Sequence, residues 1–116
     1  MEIAVRILDG IDVVELSGQA TENGHLQLRR RFLHAMEGGR KRFIINLAHA
    51  TSIDSMILGE TVACLKRARQ LGGNVKFVVS SDGLVHELLQ LTGLDRIFEI
   101  FGDESEAAAS FAHGSN

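Results

Sequence analysis

The chain has 116 residues, a formal net charge of -3 at pH 7, 45% hydrophobic and 23% charged side chains, no Pro, Trp or Tyr, and a single cysteine. That length holds one domain around one core, and the acidic balance excludes the basic footprint left by nucleic-acid binding. The lone Cys64 excludes an internal disulfide and a thiolate metal cluster, and is read as an inert buried thiol.

The chain does not start with a basic stretch leading into an apolar run, and no span approaches transmembrane length. A cytoplasmic protein with no membrane and no nucleic-acid partner is expected. The Arg29-Arg30-Arg31 and Arg40-Lys41-Arg42 runs lack aromatic neighbours for base stacking and read as solvated faces.

Residues 3–8 and 11–16 are two β-rich runs separated by Asp9-Gly10, a dipeptide suited to the positive φ angles of a tight hairpin turn. After Ser17-Gly18 the spacing becomes helical, with Leu28, Phe32 and Ala35 on one stripe and Leu26, Leu33 and Met36 beside it. Thr21 or Asn23 would cap this helix, and Gly38-Gly39 would end it. Residues 43–47, Phe-Ile-Ile-Asn-Leu, form the nearly continuous apolar run of a strand covered on both faces. From Asp54 a second helix carries Leu58, Thr61, Val62, Leu65 and Ala68, and Gly72-Gly73 stops it.

Residues 75–79 are another buried strand. Ser80-Ser81-Asp82-Gly83 then offers capping groups for a helix whose apolar positions are Leu84, Leu88 and Leu91. Gly93 suits the left-handed position after that helix, with Leu94 folding back over its last turn. A last short strand at 97–101 precedes a final helix through Phe111, opened by Asp103 and Glu106 as a capping pair, and residues 113–116 are expected to be a flexible tail. The order β-β-α-β-α-β-α-β-α describes a single α/β domain over 1–112: a mixed, mostly parallel sheet with an N-terminal hairpin and about four helices. Crossovers between its parallel strands should be right-handed.

No catalytic constellation accompanies this architecture. The five His, at 25, 34, 49, 86 and 113, form no metal-ligand spacing, and no phosphate-cradling glycine motif is present, so neither enzyme activity nor a cofactor or metal is expected. Asp54-Ser55 stands out because it places a carboxylate and a hydroxyl among the unpaired N–H groups of a helix start, where anionic oxygens are favoured. A capping role alone is the plainer reading of such a pair. Met56 and Ile57 follow at once, and neighbours a hundred degrees apart on a helix do not easily both pack inward. Ile57 is the better candidate for the core, which leaves Met56 as an exposed docking contact.

The strand FIINL, the segment SIDSMILGET, the helix running into RARQLGGNVKFVV, and LLQLTGLDRIFEIF near the end resemble a STAS domain. This is the sulphate transporter and anti-sigma factor antagonist fold, and with the hairpin the likeness covers almost the whole chain. In the stand-alone form the resemblance implies a bacterial partner switch. The unmodified protein binds a serine kinase that is also an anti-sigma factor, phosphorylation of the serine after the motif aspartate releases it, and a serine phosphatase resets the cycle.

By position that serine is Ser55, and the resemblance implies a partner surface of Thr21, Asn23, Asp54, Met56, Ile57 and Gly59 around it. Met56 and Ile57 stand where the usual motif has a second serine and a glycine, a departure toward stressosome-like scaffold members. Thr21 occupies the place of an acidic residue common in the family, with Glu22 next door. A monomer or weak homodimer is expected.

Two other classes compete with the switch. A two-component receiver would use Asp54 as phosphoacceptor, but the chain starts with a hairpin and lacks both the acidic pair and the Lys that a receiver requires. A small-ligand module would use the loops at 48–53 and 80–83, which both follow buried strands, the ligand-facing edge of such sheets.

Overall fold

In a computed structural model, described for residues 1–112, five strands form one sheet in the order β1-β2-β3-β4-β5. The expected tail at 113–116 lies outside the described residues. Strands β1 (Glu2–Leu8) and β2 (Ile11–Ser17) pair antiparallel, while β3 (Arg42–Asn46), β4 (Asn74–Val78) and β5 (Glu99–Phe101) continue the sheet in parallel. Asp9 (φ 51°) and Gly10 (φ 78°) make the hairpin turn with both central residues at positive φ, as the strand twist requires.

Alternation along the strands divides the core. Val14, Leu16, Phe43, Ile45, Val75 and Phe77 face three helices, α1 (Gly24–Glu37), α2 (Ser55–Gln70) and α3 (Leu84–Thr92). Ile11, Val13, Ile44 and Val78 face the other way, against α4 (Glu104–Ala112). The first side is mostly apolar, its buried polar groups being Asp12, beside Phe43, and Thr61 of α2, whose hydroxyl donates to Leu58 O at 2.7 Å. The second is smaller and carries the buried Asn46 and Lys76.

On that second side Lys76 donates to Ser110 Oγ at 2.5 Å, lies 3.3 Å from Glu99 and packs its ammonium 4.1 Å from the Phe111 ring centre. Burial lowers its pKa, opposed by the charge of Glu99. Arg40 reaches the buried Asp12, so this arginine is an internal counter-charge and not part of a solvated face. Arg29, by contrast, is exposed and pairs with Glu60 on α2.

Several local expectations are corrected. Asn23 is the residue before α1, but its side chain makes no capping bond, and the helix starts instead from a backbone turn in which Gly24 N–H donates to Thr21 O at 3.1 Å. The Ser80-Asp82 segment likewise does not cap α3. Ser80 Oγ donates to Asp82 at 2.6 Å and Gly83 precedes the helix without a side-chain cap.

The face that α3 turns inward also differs: Val85 and Leu89 are buried, while Leu84 is 77% and Leu91 79% exposed. The final strand is shorter than expected because Gly93 leads into a 3-10 turn over Leu94–Arg96. That turn delivers Phe98 into the core, where it stacks on Phe77 with ring centres 4.0 Å apart. Gly73 sits where the chain leaving α2 crosses Lys41, and a Cβ there would meet Lys41 O at 1.9 Å.

Candidate functional site

The chain leaves β3 at Asn46, whose Oδ1 accepts from Ala48 N–H at 2.9 Å and so starts the loop to α2. That loop is stitched to the one following β2. Gly18 N–H donates to His49 O at 3.1 Å, Thr51 N–H to Gly18 O at 2.9 Å, and Ala20 N–H to Ser52 Oγ at 2.8 Å. These bonds satisfy backbone groups on both loops and fix the approach of the chain to α2. Asp54 then takes an extended conformation and its Oδ1 accepts from Ile57 N–H at 2.8 Å, a side-chain cap on one of the helix's unpaired donors.

Ser55 is the first residue of α2. It is exposed, and among the described residues its hydroxyl has no hydrogen-bond partner. The expected division between its neighbours is clear: Met56 is 55% exposed and Ile57 is fully buried. Ile57 is therefore removed from the expected partner surface. It anchors the tip from below, against Gly24, where a Cβ would stand 3.4 Å from Ile57 Cδ1.

The same contact brings the start of α1 to the start of α2, so exposed Thr21 and Asn23 lie on the loop flanking that junction. Gly59, one turn beyond Ser55, is exposed with open space around it. Thr21, Asn23, Asp54, Ser55, Met56 and Gly59 are all at least partly exposed around this junction, without Ile57.

Sequence reasoning named the loop at 48–53 as a ligand-facing edge but missed the groove that this loop forms with α3. Thr51, Ser52 and Ile53 form one wall and Leu84, Leu88 and Leu91 of α3 the other, enclosing about 330 Å³. It was hidden because those leucines satisfy helical spacing as well as the buried Val85 and Leu89 do. Cys64 is buried as expected, and burial pushes its thiol well above the ordinary range, with the charge of Glu60 adding to the effect.

Asp54 is the cap of α2, well past the end of β3, and the sheet opens with an antiparallel pair. This is not the phosphoacceptor position of a receiver. Among the described residues no group of three or more His, Cys, Asp or Glu could hold a metal ion, and no helix is long and apolar enough to cross a membrane.

Comparison with known proteins agrees with this architecture. A Thermotoga neapolitana protein, assigned as an anti-sigma factor antagonist, is 36% identical over 86 residues, covering 74% of this chain and 75% of its own. The crystal structure of a Thermotoga maritima protein with the same assignment is 30% identical, with a TM-score of 0.76 over 93% of this chain and 92% of that one. The structure of an anti-sigma factor antagonist from Mycobacterium paratuberculosis, 20% identical, superposes with a TM-score of 0.82 over 94% and 92% of the two chains and supports the fold. The family model of the STAS domain matches residues 2–107, so this chain belongs to the STAS domain family.

Proposed function

We propose that the protein is an anti-sigma factor antagonist in a partner-switching pathway, without enzymatic activity of its own. Unmodified, it binds a serine kinase that doubles as an anti-sigma factor. Phosphorylation of Ser55 releases that partner and a serine phosphatase restores binding. The observation that carries this reading is the state of Ser55: exposed, unengaged among the described residues, and mounted on a helix tip already capped by Asp54.

The consequences follow from electrostatics. A phosphate at Ser55 adds about -1.5 to -2 charges at pH 7 and three strong acceptors. At the first position of α2 the macrodipole favours that charge, so the fold need not change. A partner seated over Met56, Thr21 and Asn23 meets the new charge together with that of Asp54 and leaves through repulsion and desolvation. Exposed Leu84 and Leu91, beside the same loop, supply apolar contact area that a polar helix tip lacks.

The test uses the whole protein as bait in a lysate of the native cell, as wild type, Ser55→Ala and Ser55→Asp. Wild type and Ser55→Ala should retain a serine kinase that Ser55→Asp loses, and mass spectrometry of the bait should find phosphate on the Ser55 peptide. Equal retention by Ser55→Ala and Ser55→Asp overturns the proposal.

A further inference from the structure

Strand β1 is an edge of the sheet, bonded only to β2. Counting back from the two-residue turn, Leu8 and Ile11 close the hairpin as a hydrogen-bonded pair, so Arg6, Ala4 and Glu2 also turn their backbone groups toward β2. The N–H and C=O groups of Ile3, Val5 and Ile7 therefore point to the open edge. Val5 (39%) and Ile7 (64%) also keep their side chains exposed. An edge of this kind is a template for another strand, and natural proteins restrict it with charges. Here the charges are Glu2 and Arg6, both exposed, four residues apart on the face toward α4.

We propose that the occupant of this edge is a second copy of the chain, paired antiparallel about a two-fold axis through Ala4. In that register Glu2 of each copy stands opposite Arg6 of the other. Ile3 stands opposite Val5 with their outward backbone groups bonded, and the small Ala4 side chains meet at the axis. Charge complementarity selects this alignment. Sliding the strands to centre on Glu2 or Arg6 sets like charges face to face, and centring on Val5 sets Glu2 against Leu8.

Arg6 can serve both copies, because its guanidinium is 49% exposed while it holds Glu104 of its own chain at 2.5 Å. The five β1 residues that pair in this register, 2–6, span roughly 17 Å at about 3.3 Å each, an interface at the small end of the specific range, so the dimer is weak and concentration-dependent. The inference does not rest on the partner switch, although Met1, just before the edge strand, reaches Gly24 at the junction beneath the tip of α2.

Sedimentation of the intact protein across a concentration series tests it. The wild type should move from the 12.7 kDa monomer toward twice that mass. Glu2→Arg should stay monomeric, and so should Arg6→Glu. An equimolar mixture of the two, which restores opposite charges at both contacts, should recover a heterodimer. Because Arg6→Glu also removes the counter-charge of Glu104, Ala4→Arg, which sets two cations at the axis, provides an independent route to the monomer. A wild type that is monomeric at millimolar concentration overturns the proposal, as do variants that dimerise like wild type or a mixture that stays monomeric.

Discussion

At the start of α2, Asp54 accepts from Ile57 N–H at 2.8 Å, and at the start of α4, Asp103 accepts from Glu106 N–H at the same 2.8 Å. The backbone device is shared, yet the next residue is treated in opposite ways. Glu104 is held by Arg6 at 2.5 Å and by Asn46 Nδ2 at 2.6 Å, whereas Ser55 is exposed and has no such partner among the described residues. One helix start spends its preference for negative charge on a carboxylate that ties α4 to β1 and β3. The other is left neutral and open, able to receive a negative charge later. A helix N-terminus is a general anion site, and its surroundings decide whether it is used for structure or for regulation.

The sharpest way to test this contrast is to remove what lies beneath each tip. Ile57 is fully buried under the first, so Ile57→Ala should lower unfolding free energy by about 2–5 kcal/mol. Met56→Ala, one position earlier and 55% exposed, should stay within about 0.5 kcal/mol while weakening partner capture. Urea denaturation measures both. Similar losses of stability from the two changes would contradict the assignment of Met56 to the surface and Ile57 to the core.

The caps come next in size. Asp54→Ala and Asp103→Ala should each cost about 1 kcal/mol, since each removes one side-chain bond to a helix donor. If Asp103→Ala alone proves neutral, α4 is fixed by the Glu104 contacts and its cap is redundant. A smaller gain is expected at Gly59. A Cβ there meets nothing within 4 Å, and replacing a helical Gly by Ala is worth roughly 0.5–1 kcal/mol. Gly59→Ala should therefore raise the urea midpoint. Reduced kinase retention in the more stable variant would identify the bare backbone one turn from Ser55 as a contact surface.

The α2 start was legible in the sequence because all its determinants are local: an apolar strand, a polar loop, and an Asp three residues before the donor it caps. The Met56 and Ile57 division was readable for the same reason, from helix geometry alone. The orientation of α3 was not. Leu84, Leu88 and Leu91 satisfy helical spacing, and so do Val85 and Leu89. Only the position of the sheet decides that the second set turns inward, and the groove beside Ser52 follows from that choice. The start of α4 was half legible. Its Asp103 cap is local, but the partners of Glu104 lie 98 residues away at Arg6 and 58 away at Asn46, beyond any local pattern.

Those distant partners give the second helix start a pH signature that the first lacks. The Arg6 hydrogen bond holds the Glu104 carboxyl below its ordinary value of 4.5, against an opposing effect of burial and with further help from Asn46. A carboxylate whose pKa is lower folded than unfolded stabilises the native state above the unfolded value, and that contribution disappears as pH falls through the folded value. Glu104→Gln keeps a polar side chain but cannot carry the charge. Wild type should exceed it by about 0.2–1 kcal/mol at pH 6–8, the range for a partly exposed ion pair. The gap should narrow below about pH 4.5 and close once Glu104 is protonated in both states. Arg6→Gln should show the same narrowing, because it removes the other half of the contact, whereas Ser55→Ala should leave the acid limb of the stability curve unchanged. A Glu104→Gln deficit that persists unaltered into acid would mean that shape and hydrogen bonding, not charge, hold α4 to the sheet.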